Sequence, residues 1–321
     1  MGAPLITYRQ FRNSDPPAIA EIWRNQQPQR GLCQPLTTIE LDRSILSKPY
    51  FDASGMRLAF EGGRPLGFVH AAFGPTADGS AIDRTKGLIS MLMVVQHSQG
   101  GGIERELLDA AEDYLRVRGA KSVSAGGDAG EHPFYLGLYG GSEYSGVLMS
   151  DEAAIRRYLN AGYLETRRRH VLQKRLMGFR APIDRKQMTL RRQYTVSQLN
   201  DPAPSSWWDA CVNQPTDRQR FFALDETREI KGTVDVWSIA PMGQSWGVNA
   251  VGISELKILE ATRRKGLGTY LLAEALKVVA AEGAALAETH IPTDNAAALK
   301  VFKMLGFEEV DVSISLSKSL V

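Results

Sequence analysis

The strongest constraint on the fold is an internal repeat that runs through the chain of 321 residues. Residues 252–272 read GISELKILEATRRKGLGTYLL: an apolar run, a polar turn with glycines, then apolar residues at helical spacing. Residues 87–108 read GLISMLMVVQHSQGGGIERELL and follow the same order, with their helical apolar positions 164 residues earlier. A strand, a glycine turn and an amphipathic helix are therefore predicted twice.

Each copy continues into a second strand and a second helix. Residues 294–307 read DNAAALKVFKMLGF, and residues 150–163 read SDEAAIRRYLNAGY. Both stretches have helical spacing, and each ends in a glycine followed by an aromatic residue before another strand-like run. The order strand, helix, strand, helix, strand predicts an α/β fold with two tandem domains, residues 1–177 and 188–321.

Shorter patterns predict the elements that precede each repeat. Residues 4–11 are predicted as a strand, and residues 14–27 as a helix with prolines in its first turn. Hairpins are predicted around Gly62-Gly63 and within residues 220–242. The N-terminal copy also contains about twenty additional residues, 130–149, which are rich in glycine and tyrosine.

Composition excludes several classes of function. Apolar residues make up 43% and charged residues 23% of the chain, as in globular proteins. A net charge of +2 gives no overall case for a nucleic-acid partner. No signal peptide is visible, and no apolar run approaches the roughly 18 residues of a membrane helix. Because Cys33 and Cys211 are the two cysteines and lie far apart, a cytoplasmic protein is expected, and no metal site is predicted.

The densest positive charge lies between residues 167 and 192, where ten lysines and arginines accompany one acid, Asp184. One interpretation is a surface for nucleic acid or another anionic ligand. The other is a solvated strand edge followed by a linker, because basic residues protect strand edges from pairing. Nearby aromatic residues do not alternate with the charges as single-strand binders require, so the second interpretation is favoured.

The glycine turn at residues 263–268, RRKGLG, has a clear physical use. The first N–H groups of a helix have no partners within the helix, and the helix dipole places partial positive charge there. Glycine lets a ligand approach the backbone closely, and three cations add charge, so the turn is suited to a phosphate or pyrophosphate. The residues fit neither the Walker A pattern nor the dinucleotide pattern, since Leu271 stands where the latter needs glycine.

The residues of both motifs in the C-terminal half resemble the GNAT (GCN5-related) N-acetyltransferase superfamily. Arg263-x-x-Gly266-x-Gly268 looks like the family's acyl-CoA signature. Asn295 and the closing Gly306-Phe307 match its next motif, although Phe302 stands where a tyrosine is usual. The resemblance implies two GNAT-like domains, each with a mixed, largely antiparallel sheet flanked by helices.

The N-terminal copy matches the family less well. Gln99-x-x-Gly102 fits the opening of the signature, but Glu104 replaces its last small residue and would repel a pyrophosphate. Asp151 replaces the asparagine, whereas Tyr158 keeps the usual tyrosine. The whole chain thus looks like a tandem GNAT protein of the mycothiol synthase-like arrangement, with a degenerate CoA site in its first domain. Residues 130–149 would lie near the acyl end, where their tyrosines either line the substrate cleft or pack between the domains.

The resemblance also implies roles for individual residues. The CoA ligands are expected to be Ile258, Arg263, Arg264, Lys265, Gly266, Leu267, Gly268 and, on the CoA arm, Asn295. Direct attack of an amine on the thioester needs a base, for which Glu255 is a candidate and His290 a weaker one, and an acid. Phe302 cannot donate a proton, and Tyr158 is a possible acid only if the N-terminal site is active.

These observations predict an acyl-CoA-dependent N-acyltransferase that moves an acetyl group from acetyl-CoA to a primary amine. The amine belongs to a small molecule, a peptide or a protein, and the sequence does not distinguish them. The alternative is a non-catalytic acyl-CoA sensor, which Phe302 favours and Glu255 disfavours. Neither nucleic acid nor membrane is an expected partner, and the chain is expected to be a monomer or a homodimer.

Overall fold

The structure is a computed structural model that describes residues 5–95, 98, 102–126, 130–213 and 217–321. The first repeat follows the predicted order of elements. Its strands are β1 (Ile6–Gln10), β2 (Met56–Glu61), β3 (Arg64–Pro75), β4 (Ile82–Val94), β5 (Ser122–Ala125), β6 (Val147–Leu148) and β7 (Leu164–Arg175). Its helices are α1 (Pro16–Arg24), α2 (Thr38–Leu41), α3 (Ile103–Val117) and α4 (Glu152–Asn160).

The second repeat is built in the same way. Its strands are β8 (Thr195–Asn200), β9 (Arg218–Leu224), β10 (Ile230–Ser238), β11 (Ala250–Ile258), β12 (Leu286–Pro292) and β13 (Glu308–Ser319). Its helices are α5 (Arg185–Gln193), α6 (Trp207–Asn213), α7 (Ala240–Trp246), α8 (Leu267–Ala281) and α9 (Ala296–Met304). The predicted hairpins are confirmed as β2–β3 and β9–β10, and the two repeats form the mixed, mostly antiparallel α/β fold that the sequence predicts.

One continuous sheet joins the repeats, and its order is β1-β2-β3-β4-β5-β13-β7-β12-β11-β10-β9-β8. The last strand of each repeat is exchanged. Strand β13 of the second repeat lies between β5 and β7 of the first, and β7 in turn pairs with β12 of the second. All three of these pairings are antiparallel, whereas β4–β5 and β11–β12 are parallel.

The exchange also divides the hydrophobic core. Ile314 and Leu316 of β13 are buried among residues of the first repeat. Conversely, Leu172 and Leu176, at the end of the first repeat, are buried in the core of the second. Each core therefore needs side chains from the other half of the chain, and burial of apolar area stabilises the two repeats together.

The interpretation of residues 167–192 as a strand edge was wrong. Strand β7, which contains the arginines of this stretch, is internal to the sheet and pairs with β13 on one side and β12 on the other. A local charge pattern cannot reveal this position, because both partners come from more than a hundred residues away in sequence. Helix α5 begins at Arg185, before the predicted start of the second domain, and Asp184 caps it by accepting from the Gln187 N–H at 2.7 Å.

Truncation of one exchanged side chain should destabilise the repeat that receives it. We expect Leu316→Ala to lower the free energy of unfolding by about 2–5 kcal/mol, because a fully buried leucine leaves a cavity. Amide hydrogen exchange should accelerate in β5, which pairs with β13 at this position. Val310→Ala, on the same strand but at a 40% exposed side chain, is the matched control and should change β5 little. Equal effects of the two variants would contradict the shared core.

Candidate functional site

The RRKGLG turn forms the N-terminus of helix α8. Gly266 is the residue before the helix and has a φ of 90°, in the left-handed region that favours glycine. No side chain among the described residues caps the helix, and the first backbone bond is from the Tyr270 N–H to the Gly266 carbonyl at 3.1 Å. The N–H groups of the first helical turn are thus left for a ligand.

Cations surround this turn. Arg263, Arg264 and Lys265 are exposed, and the Arg263 Nε donates to the Ile258 carbonyl at 3.0 Å. Lys186 of α5 also reaches the turn, since a Cβ on Gly266 would lie 2.5 Å from the Lys186 Cε. Sequence analysis missed Lys186, because it lies far from the turn in the chain. An anion at the end of α8 would meet these charges as well as the helix dipole.

Strands β11 and β12 separate next to the turn. They pair in parallel over Ala250–Gly252 and Leu286–Glu288, and β11 then continues to Ile258 while β12 continues to Pro292. The space between them opens into a cavity of about 540 Å³. It is lined by Ile253–Lys257 of β11 and Thr289–Pro292 of β12, together with Asn295, Ala298 and Phe302.

Glu255 lies on a bulge of β11 at the edge of this cavity. The register of β10 and β11 shifts there, and Glu255 has a φ of 54°, which is strained for a residue other than glycine. Its side chain is 50% exposed, and its carboxylate pairs with the Lys257 Nζ at 2.7 Å. The bulge turns successive residues of β11 toward the cavity, while the Glu255 carboxylate is held in its ion pair with Lys257.

Asn295 and Phe302 lie on the second helix of the repeat, α9. The Asn295 Oδ1 accepts from the Ala298 N–H at 3.1 Å, so Asn295 is the N-cap of α9 at the rim of the cavity. Phe302 is 1% exposed and packs edge-on against Phe307 with ring centroids 5.0 Å apart. It forms an apolar part of the cavity wall where the family usually has a hydroxyl.

Residues 130–149 of the first repeat close the far side of the cavity. Glu143 and Tyr144 line it, although both come from the N-terminal half of the chain. The Tyr144 hydroxyl donates to the carbonyl of Ser90 in β4 at 2.7 Å. Ser90 follows Ile89, the last residue of β4 that pairs with β5. Tyr135 and Tyr139 are buried in the first core. The segment therefore both packs between the repeats and contributes to the wall of the cavity.

Glu143 was not among the predicted site residues. Burial raises the pKa of its carboxyl above the ordinary value, and the negative charges of Glu255 and Glu288 raise it further, while His290 and Arg169 act in the opposite direction. In the part of the chain that the structure describes, its Oε2 is buried and has no hydrogen-bond partner. The only local signal in the sequence is a carboxylate within a glycine- and tyrosine-rich insertion.

A second carboxylate, Glu288 of β12, is fully buried but well satisfied. It forms an ion pair with Arg30, and it accepts from the Ser142 N–H at 2.8 Å and the Gln173 Nε2 at 2.7 Å. Burial alone would raise the pKa of Glu288, but hydrogen bonding and the neighbouring positive charge outweigh burial and lower it. Glu288 therefore stays ionised and ties the first repeat to β12.

His290 is part of the same network. Its Nδ1 lies 2.7 Å from the Ser145 Oγ, which is 2.9 Å from the Ser313 Oγ, and its Nε2 lies 3.6 Å from the Glu288 Oε1. The side chain is fully buried. His290 also lines the cavity, and among the described residues its buried Nε2 has no hydrogen-bond partner, so the structural role stays a prediction.

The N-terminal cleft has the same backbone but different contents. Gly102 precedes α3 with a φ of 83°, and Asp151 caps α4 as Asn295 caps α9. Here the Arg157 guanidinium donates to the Leu92 carbonyl at 3.2 Å and lies 3.5 Å from Glu104. This pair bridges the cleft between α3 and α4. Arg157 lines two cavities there, of about 400 and 430 Å³, and Glu104 lines the first of them.

Tyr158 and Gln99 also belong to the motifs predicted for this cleft. Tyr158 is 4% exposed, and burial raises its pKa, so its hydroxyl keeps its proton. Gln99, which opens the predicted N-terminal signature, lies outside the described residues.

Within the described ranges, no group of His, Cys, Asp and Glu is arranged to hold a metal ion. No helix in those ranges is long and apolar enough to cross a bilayer.

The fold and the site define a protein of tandem α/β repeats, with one open and one bridged version of the same cleft. The sequence profile of the Acetyltransferase (GNAT) family matches residues 18–138 and 187–307. The chain belongs to this family of acetyltransferases. Enzymes of this family use an acyl-CoA co-substrate and an amine acceptor. A comparison with curated protein sequences gives no match.

Solved structures share the whole fold at low sequence identity. A GCN5-related glucosamine N-acetyltransferase region of a fungal multidomain β-N-acetylglucosaminidase superposes with a TM-score of 0.74 at 15% identity, over 99% of this chain and 38% of that one. This chain therefore spans well under half of that protein. A tandem GNAT protein from the clavulanic acid biosynthesis pathway has a TM-score of 0.69 at 15% identity, with 99% of both chains covered. A GCN5-related N-acetyltransferase from Sphaerobacter thermophilus has a TM-score of 0.65 at 15% identity, with 98% and 96% covered.

The two glycine turns allow a matched test of where acyl-CoA binds. We expect Gly266→Glu to weaken acetyl-CoA binding at least about tenfold, because a carboxylate would occupy the anion site. Gly102→Glu imposes similar backbone strain at a φ of 83° and should leave the affinity unchanged. Gly266→Ala separates strain from charge and should bind more tightly than Gly266→Glu. Isothermal titration calorimetry measures all three, and a loss confined to Gly102→Glu would place the ligand in the first repeat.

Proposed function

We propose that this protein transfers an acetyl group from acetyl-CoA to a primary amine in the cavity between β11 and β12. The observation that carries the proposal is that β11, whose residues Ile253–Lys257 line the cavity, ends at Ile258 and leads into the uncapped Gly266 turn. The turn would hold the pyrophosphate through its backbone N–H groups and the cations Arg263, Arg264, Lys265 and Lys186. Gly268 lies beside Ile258, because a Cβ built on Gly268 would be 3.5 Å from the Ile258 Cγ1. The absence of a side chain at Gly268 leaves this space to the ligand.

The remaining expected ligands suit the acyl-CoA arm. Ile258 and Leu267 lie on either side of the turn, at the end of β11 and the start of α8. Asn295, at the rim of the cavity, has its Oδ1 engaged in capping α9, which leaves its amide nitrogen to meet the CoA arm. Beyond Gly252, where β11 no longer pairs with β12, the backbone groups of β11 are available to the thioester. The positive φ of Glu255 marks the bulge of the strand at this point.

The acceptor that best suits this cavity is a polar primary amine. The His132 Nδ1 lies 3.1 Å from the Phe134 carbonyl, which requires Nδ1 to donate and makes the buried Nε2 an acceptor. Burial lowers the pKa of His132 to about 3, so the ring is neutral. Acceptor atoms at His132 and Glu143 favour a ligand that carries hydrogen-bond donors. One structural neighbour is a glucosamine N-acetyltransferase region, and glucosamine is a hydroxylated amine of this kind.

Thiol release tests this function directly. We expect free CoA thiol to appear when the protein is mixed with acetyl-CoA and an amine from a panel of amino sugars, polyamines, amino acids and peptides. Amines that carry hydroxyl groups should react faster than alkylamines of similar size, because they satisfy the buried acceptors of the cavity. Gly102→Glu should keep full activity, and Gly266→Glu should lose it through a raised KM for acetyl-CoA. Tight binding of acetyl-CoA without thiol release from any amine would contradict the transfer reaction.

A further inference from the structure

Glu143, Glu255 and Asp209 line the cavity of the second repeat, and their surroundings differ. Asp209 is paired with Arg218 at 2.9 Å. Glu255 is half exposed and already paired with Lys257 at 2.7 Å. Glu143 has a buried Oε2 that, among the described residues, has no hydrogen-bond partner. A buried carboxylate oxygen without a partner is unfavourable, so such an atom beside an open cavity indicates a ligand group that satisfies it.

The fold holds Glu143 in place without using its carboxyl. The N–H of Ser142, the residue before it, donates to the Glu288 Oε1 at 2.8 Å. The hydroxyl of Tyr144, the residue after it, donates to the Ser90 carbonyl at 2.7 Å. A Cβ on Gly141 would collide with the Glu288 carboxylate at 1.9 Å, so the backbone here is pressed against β12. These contacts fix the backbone on both sides of Glu143 and leave its side chain to the cavity.

We propose that Glu143 binds the ammonium group of the acceptor and accepts its proton, so that the insertion of the first repeat completes the active site of the second. This inference rests on the proposed transfer reaction. The ammonium loses one proton to the Glu143 carboxylate, and the neutral nitrogen forms a bond to the thioester carbonyl carbon. The nitrogen loses its second proton to the thiolate sulfur as the C–S bond breaks. Glu143 then returns its proton to solvent.

The charges around Glu143 suit this role. His290 and Glu288 approach from β12, Arg169 from β7, Glu255 from β11, and the neutral His132 from the same insertion. Burial and the two carboxylates raise the pKa of Glu143 above its ordinary range. A carboxylate with a raised pKa is a stronger base than a solvated one. Activity should therefore rise with pH through the pKa of Glu143, since only the ionised form accepts a proton.

The pH profile of Glu143→Gln tests the inference. We expect kcat to fall about 10²- to 10⁴-fold and the rising limb of kcat/KM against pH to disappear, while acetyl-CoA affinity stays within about twofold. Glu143→Asp keeps a carboxylate and should retain the limb at a reduced rate. Glu131→Gln, the same substitution elsewhere in the insertion and outside the cavity wall, is the matched control and should retain the wild-type rate and profile.

The possible failures are distinguishable. Wild type that releases no thiol with any amine overturns the transfer reaction and the role of Glu143 with it. Turnover in wild type with an unchanged rate and pH limb in Glu143→Gln overturns only the role of Glu143. Loss of the limb in Glu255→Gln, with the limb kept in Glu143→Gln, would assign the base to Glu255 instead. Thermal unfolding of each variant shows whether a lost rate reflects a lost fold, and a limb retained by Glu143→Asp supports the inference in that case.

Discussion

The pairing of β13 with β5 and β7 is the constraint on which the rest of the structure depends. Insertion of this strand joins two repeats into one sheet and gives each core side chains from the other half. It also brings the end of the first repeat against β12, where the second repeat opens its cleft. Residues 130–149 can reach that cleft only because the sheet is continuous. The site therefore depends on the strand exchange.

The two clefts show how similar backbones support different chemistry. Gly102 and Gly266 adopt nearly the same left-handed conformation, and Asp151 and Asn295 cap equivalent helices at the same distance of 3.1 Å. Two side chains then separate the copies. Where the second repeat has Gly268 and Val301, the first has Glu104 and Arg157, whose charges meet across the cleft. An acyl-CoA pyrophosphate entering the first cleft would have to displace this pair and face a carboxylate.

Local features of the chain were predictable because they depend on near neighbours in sequence. The glycine turns, both predicted hairpins and the order of elements follow from apolar periodicity and from the conformations that glycine allows. The caps of α4 and α9 follow from an Asp or Asn placed before an amphipathic helix. Strand β7 was misjudged as an edge, since a run of arginines looks the same whether its partners are solvent or distant strands. Lys186 escaped notice for the same reason, as it reaches the Gly266 turn only through the packing of α5 beside α8.

The sequence by itself determined the tandem GNAT fold and the turn that suits a pyrophosphate, because helix starts, glycine conformations and periodic burial are encoded within a few residues. Only the tertiary structure decided which strands are neighbours, that an ion pair bridges the first cleft, and that Glu143 faces the second. These outcomes depend on contacts between residues up to 258 positions apart, such as Arg30 with Glu288, whose pairing no local pattern records. Long-range pairing becomes favourable only when both cores form together, and that cooperation is a property of the folded chain.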